Sequence, residues 1–101
     1  MLDVFNREQF AELIGSKFRL PIPNDEVLDL ELTEVSDLKK RRGHESFSVL
    51  FLLQDGYSAP QGLYDISHEK LGAMQLLLVP VGLDKGRVQL EAVFSSLVNN
   101  D

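Results

Sequence analysis

Over residues 27–35 the chain alternates: Leu28, Leu30 and Leu32 fall on one side, Asp29, Glu31 and Thr33 on the other. A period of two puts the leucines on one face of a β-strand and the polar residues on the opposite face. A helix would scatter both sets around its circumference. The same period returns in Phe47, Val49, Phe51 and Leu53, and again in Val88, Leu90, Ala92 and Phe94 with Gln89 and Glu91 outward. Three half-buried strands need a shared apolar interior, so the chain is constrained from the start to a sheet curving around a core.

Three further segments complete the set. Residues 17–20 form a short strand ended by Pro21 and Pro23, and residues 62–67 another, with Tyr64 and Ile66 on one face. Residues 73–81 are apolar on both faces around Leu76, Leu77, Leu78 and Val79, the pattern of a strand covered on both sides. The predicted strands are 17–20, 27–35, 46–53, 62–67, 73–81 and 87–95; the second face of 46–53 turns apolar at Leu50 and Leu52.

Ahead of them the spacing predicts a helix over 7–14. Asn6 is its N-cap with Gln9 closing a capping box, Phe5 and Phe10 form a hydrophobic staple, and Gly15 ends it. Phe10, Leu13 and Ile14 share its apolar face, a natural cover for the second face of strand 73–81. Connections are short and turn-like: residues 39–44 with Gly43, a longer loop from Asp55-Gly56 to Pro60, then 68–72 and 82–86. Strands this close in sequence pair antiparallel. The expected fold is mostly β (α+β): one domain over 1–101, a short N-terminal helix packed on a strongly bent antiparallel sheet or small, partly closed barrel of about six strands.

Against that frame the basic run Lys39, Lys40, Arg41 and Arg42 stands out, holding four of the ten basic residues in a chain of formal net charge −6. With Gly43 supplying the turn it reads as a hairpin tip, ahead of an anion or acidic-partner contact. Nucleic acid is not an expected partner, since affinity for phosphates comes from accumulated basic residues. The Tyr57 to Gln61 loop supplies adaptable and aromatic contact residues. Lys39, Lys40, Arg41, Arg42, Tyr57 and Gln61 are the candidate partner contacts.

Chemistry has little to start from. There is no cysteine, and neither His44 nor His68, both expected in turns, has a second histidine at metal-ligand spacing. His68 with Asp65 and Glu69 is at most a cation site of low affinity. The serines lie outside any G-x-S-x-G elbow, and phosphate-cradling glycine loops are absent. Asp29 and Glu31 share a strand face, where charges ordinarily keep that face wet. Expectations are therefore no enzyme, no metal, no cofactor. No apolar run is long enough to span a bilayer and the N-terminus does not read as a signal peptide, so no membrane association is expected and the expected location is cytoplasmic.

The segments "FAELIGSKFRL", "LELTEVSDL", "ESFSVLF", "PQGLYDISHEKLGAMQLLLVPVG" and "LEAVFSSL" together resemble a family of small uncharacterised bacterial proteins, from about Phe10 to Phe94. The tail from Ser95 to Asp101 runs past where many members stop. The resemblance implies no activity, cofactor or catalytic residue. Members occur beside tail-collar-type or surface-appendage genes, which implies a structural or accessory role. The combined expectation is a non-enzymatic protein-interaction or structural module, with a protein partner or a homo-oligomer; the alternative is a small-molecule-binding β-barrel.

Overall fold

The computed structural model describes residues 7–97. The helix α1 covers Arg7–Ala11, and seven strands follow: β1 (Lys17–Ile22), β2 (Glu26–Val35), β3 (Lys39–Arg41), β4 (His44–Leu53), β5 (Gly62–His68), β6 (Gly72–Asp84) and β7 (Arg87–Leu97). The expected Asn6 cap, the Phe5 staple and the chain beyond Leu97 lie outside the described residues.

All pairings are antiparallel, in the order β2-β1-β5-β6-β7-β4-β3, and β2 also pairs with β4. That last pairing, from Leu30↔Leu53 to Val35↔Val49, closes six strands into a barrel, so the sheet does not stay open. The weakest seam is β1–β5, with the single rung Arg19↔Ser67. Closure removes most exposed strand edges. Pro21 does not end β1 as expected: it pairs with Val27 inside the ladder, on a strand firmly paired on one side only, where a missing N–H is tolerated.

The alternation places the core as read. Leu28, Leu30, Leu32, Val49, Phe51, Leu53, Leu90 and Ala92 all point inward and are buried, joined by Phe18, Leu20, Ile66 and Leu78. One end of the barrel is stoppered by aromatic rings. Phe10 on α1 meets Phe94 at 5.0 Å, Phe47 at 6.1 Å and Phe18 at 6.1 Å between ring centroids. Phe47 stacks on Phe94 at 4.9 Å, and Phe18 meets Phe51 edge-on at 5.2 Å.

Two expectations about the helix fail together. It is five residues long rather than spanning 7–14, because Gly15 N–H is captured by Leu32 O (2.7 Å) and Ser16 O accepts from Leu32 N–H (3.0 Å). Those bonds to β2 pull the chain out of helical register before Ile14 can reach the core, and Ile14 is 50% exposed. The helix also plugs the barrel end and leaves the outer face of β6 uncovered. Leu77 on that face is 48% exposed, and its cross-strand partner Leu63 is 66% exposed. The apolar run of β6 therefore has one buried face, not two.

At the opposite end Arg87 clamps three strands. Its Nε donates to Leu53 O (2.9 Å), one terminal nitrogen donates to Leu52 O (3.3 Å), and the other pairs with Glu31 Oε1 at 3.2 Å.

Candidate functional site

Beyond Val35↔Val49 the chain leaves β4, with Ser36 holding the gap. Ser36 N–H donates to Ser48 O (2.8 Å), and Ser36 Oγ accepts from Ser48 N–H (2.9 Å). The chain then rejoins β4 as β3, with rungs Lys39↔Ser46, Lys40↔Glu45 and Arg41↔His44. On its other edge the same part of β4 pairs with β7 through His44↔Leu97. The result is a three-stranded tongue projecting from the stoppered end, which helps to make the molecule 49 Å long and about half as wide.

The basic run is thus mostly strand, which corrects the expectation of a 39–44 loop. Only Arg42 and Gly43 form the turn, with φ of 28° and 80°. Positive φ at both central residues is the shape whose twist matches a two-residue hairpin, and glycine is the residue that accepts it freely. His44 belongs to β4 and is exposed. Composition concealed β3, because a run of charge reads as solvated loop, whereas exposed edge strands favour such residues.

Lys39, Lys40, Arg41 and Arg42 are all exposed. Strand alternation puts Lys39 and Arg41 on one face with Ser46 and His44, and Lys40 on the other with Glu45, its ion-pair partner at 3.5 Å. Among the described residues Lys39, Arg41 and Arg42 have no ion pair. The tongue is a compact positive end on a chain that is otherwise more acidic than its net charge suggests. Replacing residues 39–42 together by serine is expected to leave the thermal melt nearly unchanged, since exposed substitutions of this kind usually stay within about 0.5 kcal/mol each. A loss of several kcal/mol would show that the run holds the barrel together.

Tyr57 and Gln61 lie on the loop between β4 and β5, both exposed. Tyr64 Oη donates to Pro60 O and pins the end of that loop. This is the far end of β4 from the tongue, roughly 30 Å away at strand rise per residue. The structure does not gather the six expected contact residues into one surface.

A surface concavity of about 550 Å³ lies where the end of α1 meets β1 and the β5–β6 turn; Ser16, Lys17, Arg19, His68 and Lys70 help line it. His68 is not a solvated turn histidine: it ends β5, is buried, and packs on Phe18 with centroids 4.5 Å apart. The missed signal was the alternation Tyr64, Ile66, His68, which carries the inward face one step further. Ser16 Oγ lies 3.0 Å from His68 Nε2, the distance of a nucleophile and its base.

The remaining hydrogen bonds reverse that reading. Nδ1 accepts from Lys70 N–H (3.0 Å), so the proton of the neutral ring sits on Nε2 and is donated to Ser16 Oγ. The Ser16 hydroxyl donates in turn to Leu13 O. The ring therefore holds no free acceptor for the serine proton, and the pair ties the end of α1 to β5. Asp65 takes no part: Gln75 donates to it at 3.2 Å on the outer wall.

The paired carboxylates are also separately engaged, Asp29 with Lys17 at 3.9 Å and Glu31 with Arg87 at 3.2 Å. Among the described residues no three His, Asp or Glu side chains converge as a metal site, and no helix is long and apolar enough to cross a membrane.

The family model described as Domain of unknown function (DUF6916) matches residues 5–94. No curated protein and no solved structure matches the chain.

Proposed function

The chain belongs to the DUF6916 family, a domain of unknown function, and we propose that it is a non-enzymatic protein-interaction module whose contact surface is the tongue. The observation that carries this reading is the projection of β3 and its turn, with four exposed basic side chains, from a barrel whose interior is already occupied. Phe18, Phe51, Leu20, Leu30, Leu32, Leu53, Leu78 and Leu90 take up that interior at essentially no exposure. A bound molecule inside would have to displace them, which makes the small-ligand barrel the weaker alternative. The Ser16–His68 pair has the distance of a catalytic dyad and the proton arrangement of a structural tie.

Such a module acts by presenting a rigid, charged strand pair to a partner, in the manner of an accessory or structural component of a bacterial assembly, phage-tail-like or at the cell surface. Opposite charge steers the encounter and fixes orientation, because approach to the rest of this acidic surface is disfavoured for the same partner.

Quantitative capture from the source cell lysate tests the reading, with the wild type compared against the 39–42 serine variant. At least one protein is expected to be retained by the wild type and lost from the variant. Identical retention by both, or a partner lost instead on replacing Tyr57 and Gln61, would contradict it.

A further inference from the structure

We infer that the tongue's partner is an extended acidic segment of another protein, added as a strand along the free edge of β3. This rests on the reading of the tongue as the contact surface and names the chemistry of its occupant. β3 is the last strand in the sheet order, and among the described residues nothing pairs with the edge it turns away from β4. In a hairpin closed by two residues, the flanking pair Arg41↔His44 exchanges both backbone bonds. Alternation then leaves the N–H and C=O of Lys40 directed outward, available to an incoming strand.

Side chains select which strand can use them. Lys39 and Arg41 stand two residues apart on one face, and Arg42 follows at the tip. A segment with carboxylates at alternate positions would set one opposite each, and opposite charges directly across a ladder are favourable. Lysines on an edge otherwise discourage pairing, so the same charges that admit an acidic strand reject apolar and basic ones.

The chain itself offers no such occupant among its described strands. A second copy of β3 would set like charges opposite one another. The acidic strand β2 is held by β1 over residues 26–31 and by β4 over residues 30–35, so every part of it is already laddered on at least one side inside the barrel wall. Duplex nucleic acid would meet a basic patch too narrow for its backbone and repulsion from the remaining surface.

The test is an NMR titration of the isotope-labelled protein with an end-blocked peptide of alternating glutamate and valine. Shifts are expected to concentrate in residues 38–45, with slowed hydrogen exchange at the Lys40 amide. Binding should weaken by roughly tenfold or more in Lys39→Glu/Arg41→Glu and also in the milder Lys39→Ser/Arg41→Ser. A lysine–valine peptide is expected not to bind. An acidic peptide N-methylated along the pairing edge should bind clearly more weakly; equal binding would reduce the contact to charge alone and overturn strand addition. Tighter, tongue-dependent binding of duplex DNA or of phosphatidylserine vesicles would overturn the choice of partner. Absence of any shift at about 1 mM acidic peptide would sink the inference. The capture experiment decides the broader reading separately: tongue-dependent capture without peptide binding leaves the module standing and removes only the acidic strand.

Discussion

Phe10→Ala should lower the stability of the barrel by about 3–5 kcal/mol, a large share of what a domain of this size possesses. The helix that carries Phe10 has five residues and cannot hold its shape in water alone. Its one fully buried side chain stoppers the barrel between Phe18, Phe47 and Phe94, at centroid distances of 5.0 to 6.1 Å. Truncation leaves a cavity lined by three rings that cannot collapse without moving β1, β4 and β7. Urea melts of the wild type, Phe10→Ala and Phe10→Leu give the measurement. Leucine should recover much of the loss. A cost below about 1 kcal/mol for alanine would mean that the helix is not docked where Phe10 meets these rings.

His68→Ala is the second large effect, expected at about 2–4 kcal/mol. Three things go at once: the packing on Phe18 at 4.5 Å, the acceptor for Lys70 N–H, and the donor to Ser16 Oγ. Ser16→Ala, which removes only the last of these together with the bond to Leu13 O, should cost about 1 kcal/mol. The ordering matters more than either figure. A structural tie loses most when the ring is removed, and both variants should capture partners as the wild type does. If Ser16→Ala abolished an activity of the protein while leaving its melt unchanged, the dyad would have to be read as catalytic.

How much of this was legible in the sequence follows from what each pattern encodes. Alternation encodes a face, so Leu28, Leu30, Leu32, Val49, Phe51 and Leu90 were placed inward, and their strands found, without reference to tertiary contacts. It does not encode which edge meets which, so closure through β2 and β4, far apart along the rest of the sheet, was not determined. The apolar run of β6 misled for a related reason. A strand with two apolar faces says that cover is wanted, not that it is present, and α1 was drawn to the barrel end by the Gly15 and Ser16 bonds to β2. Lys39–Arg41 defeated propensity altogether, since an edge strand at a hairpin is held by its turn and its partner. His68 was hidden by residue type, an aromatic, hydrogen-bonding ring filling an inward position that an apolar residue would have announced.

The sequence identifies the candidate contacts as residues but not as a surface. Nothing in the linear order says that Lys39, Lys40, Arg41 and Arg42 leave one end of β4 while Tyr57 and Gln61 leave the other. That separation makes the two ends distinguishable by experiment. Hydrogen–deuterium exchange on the captured complex, compared with the free protein, reads directly which end is covered. New protection is expected to be confined to residues 38–46, with Lys40 among the most affected amides. Protection at residues 57–61, or on the β5–β6 wall around Leu63 and Leu77 with the tongue still exchanging freely, would contradict it.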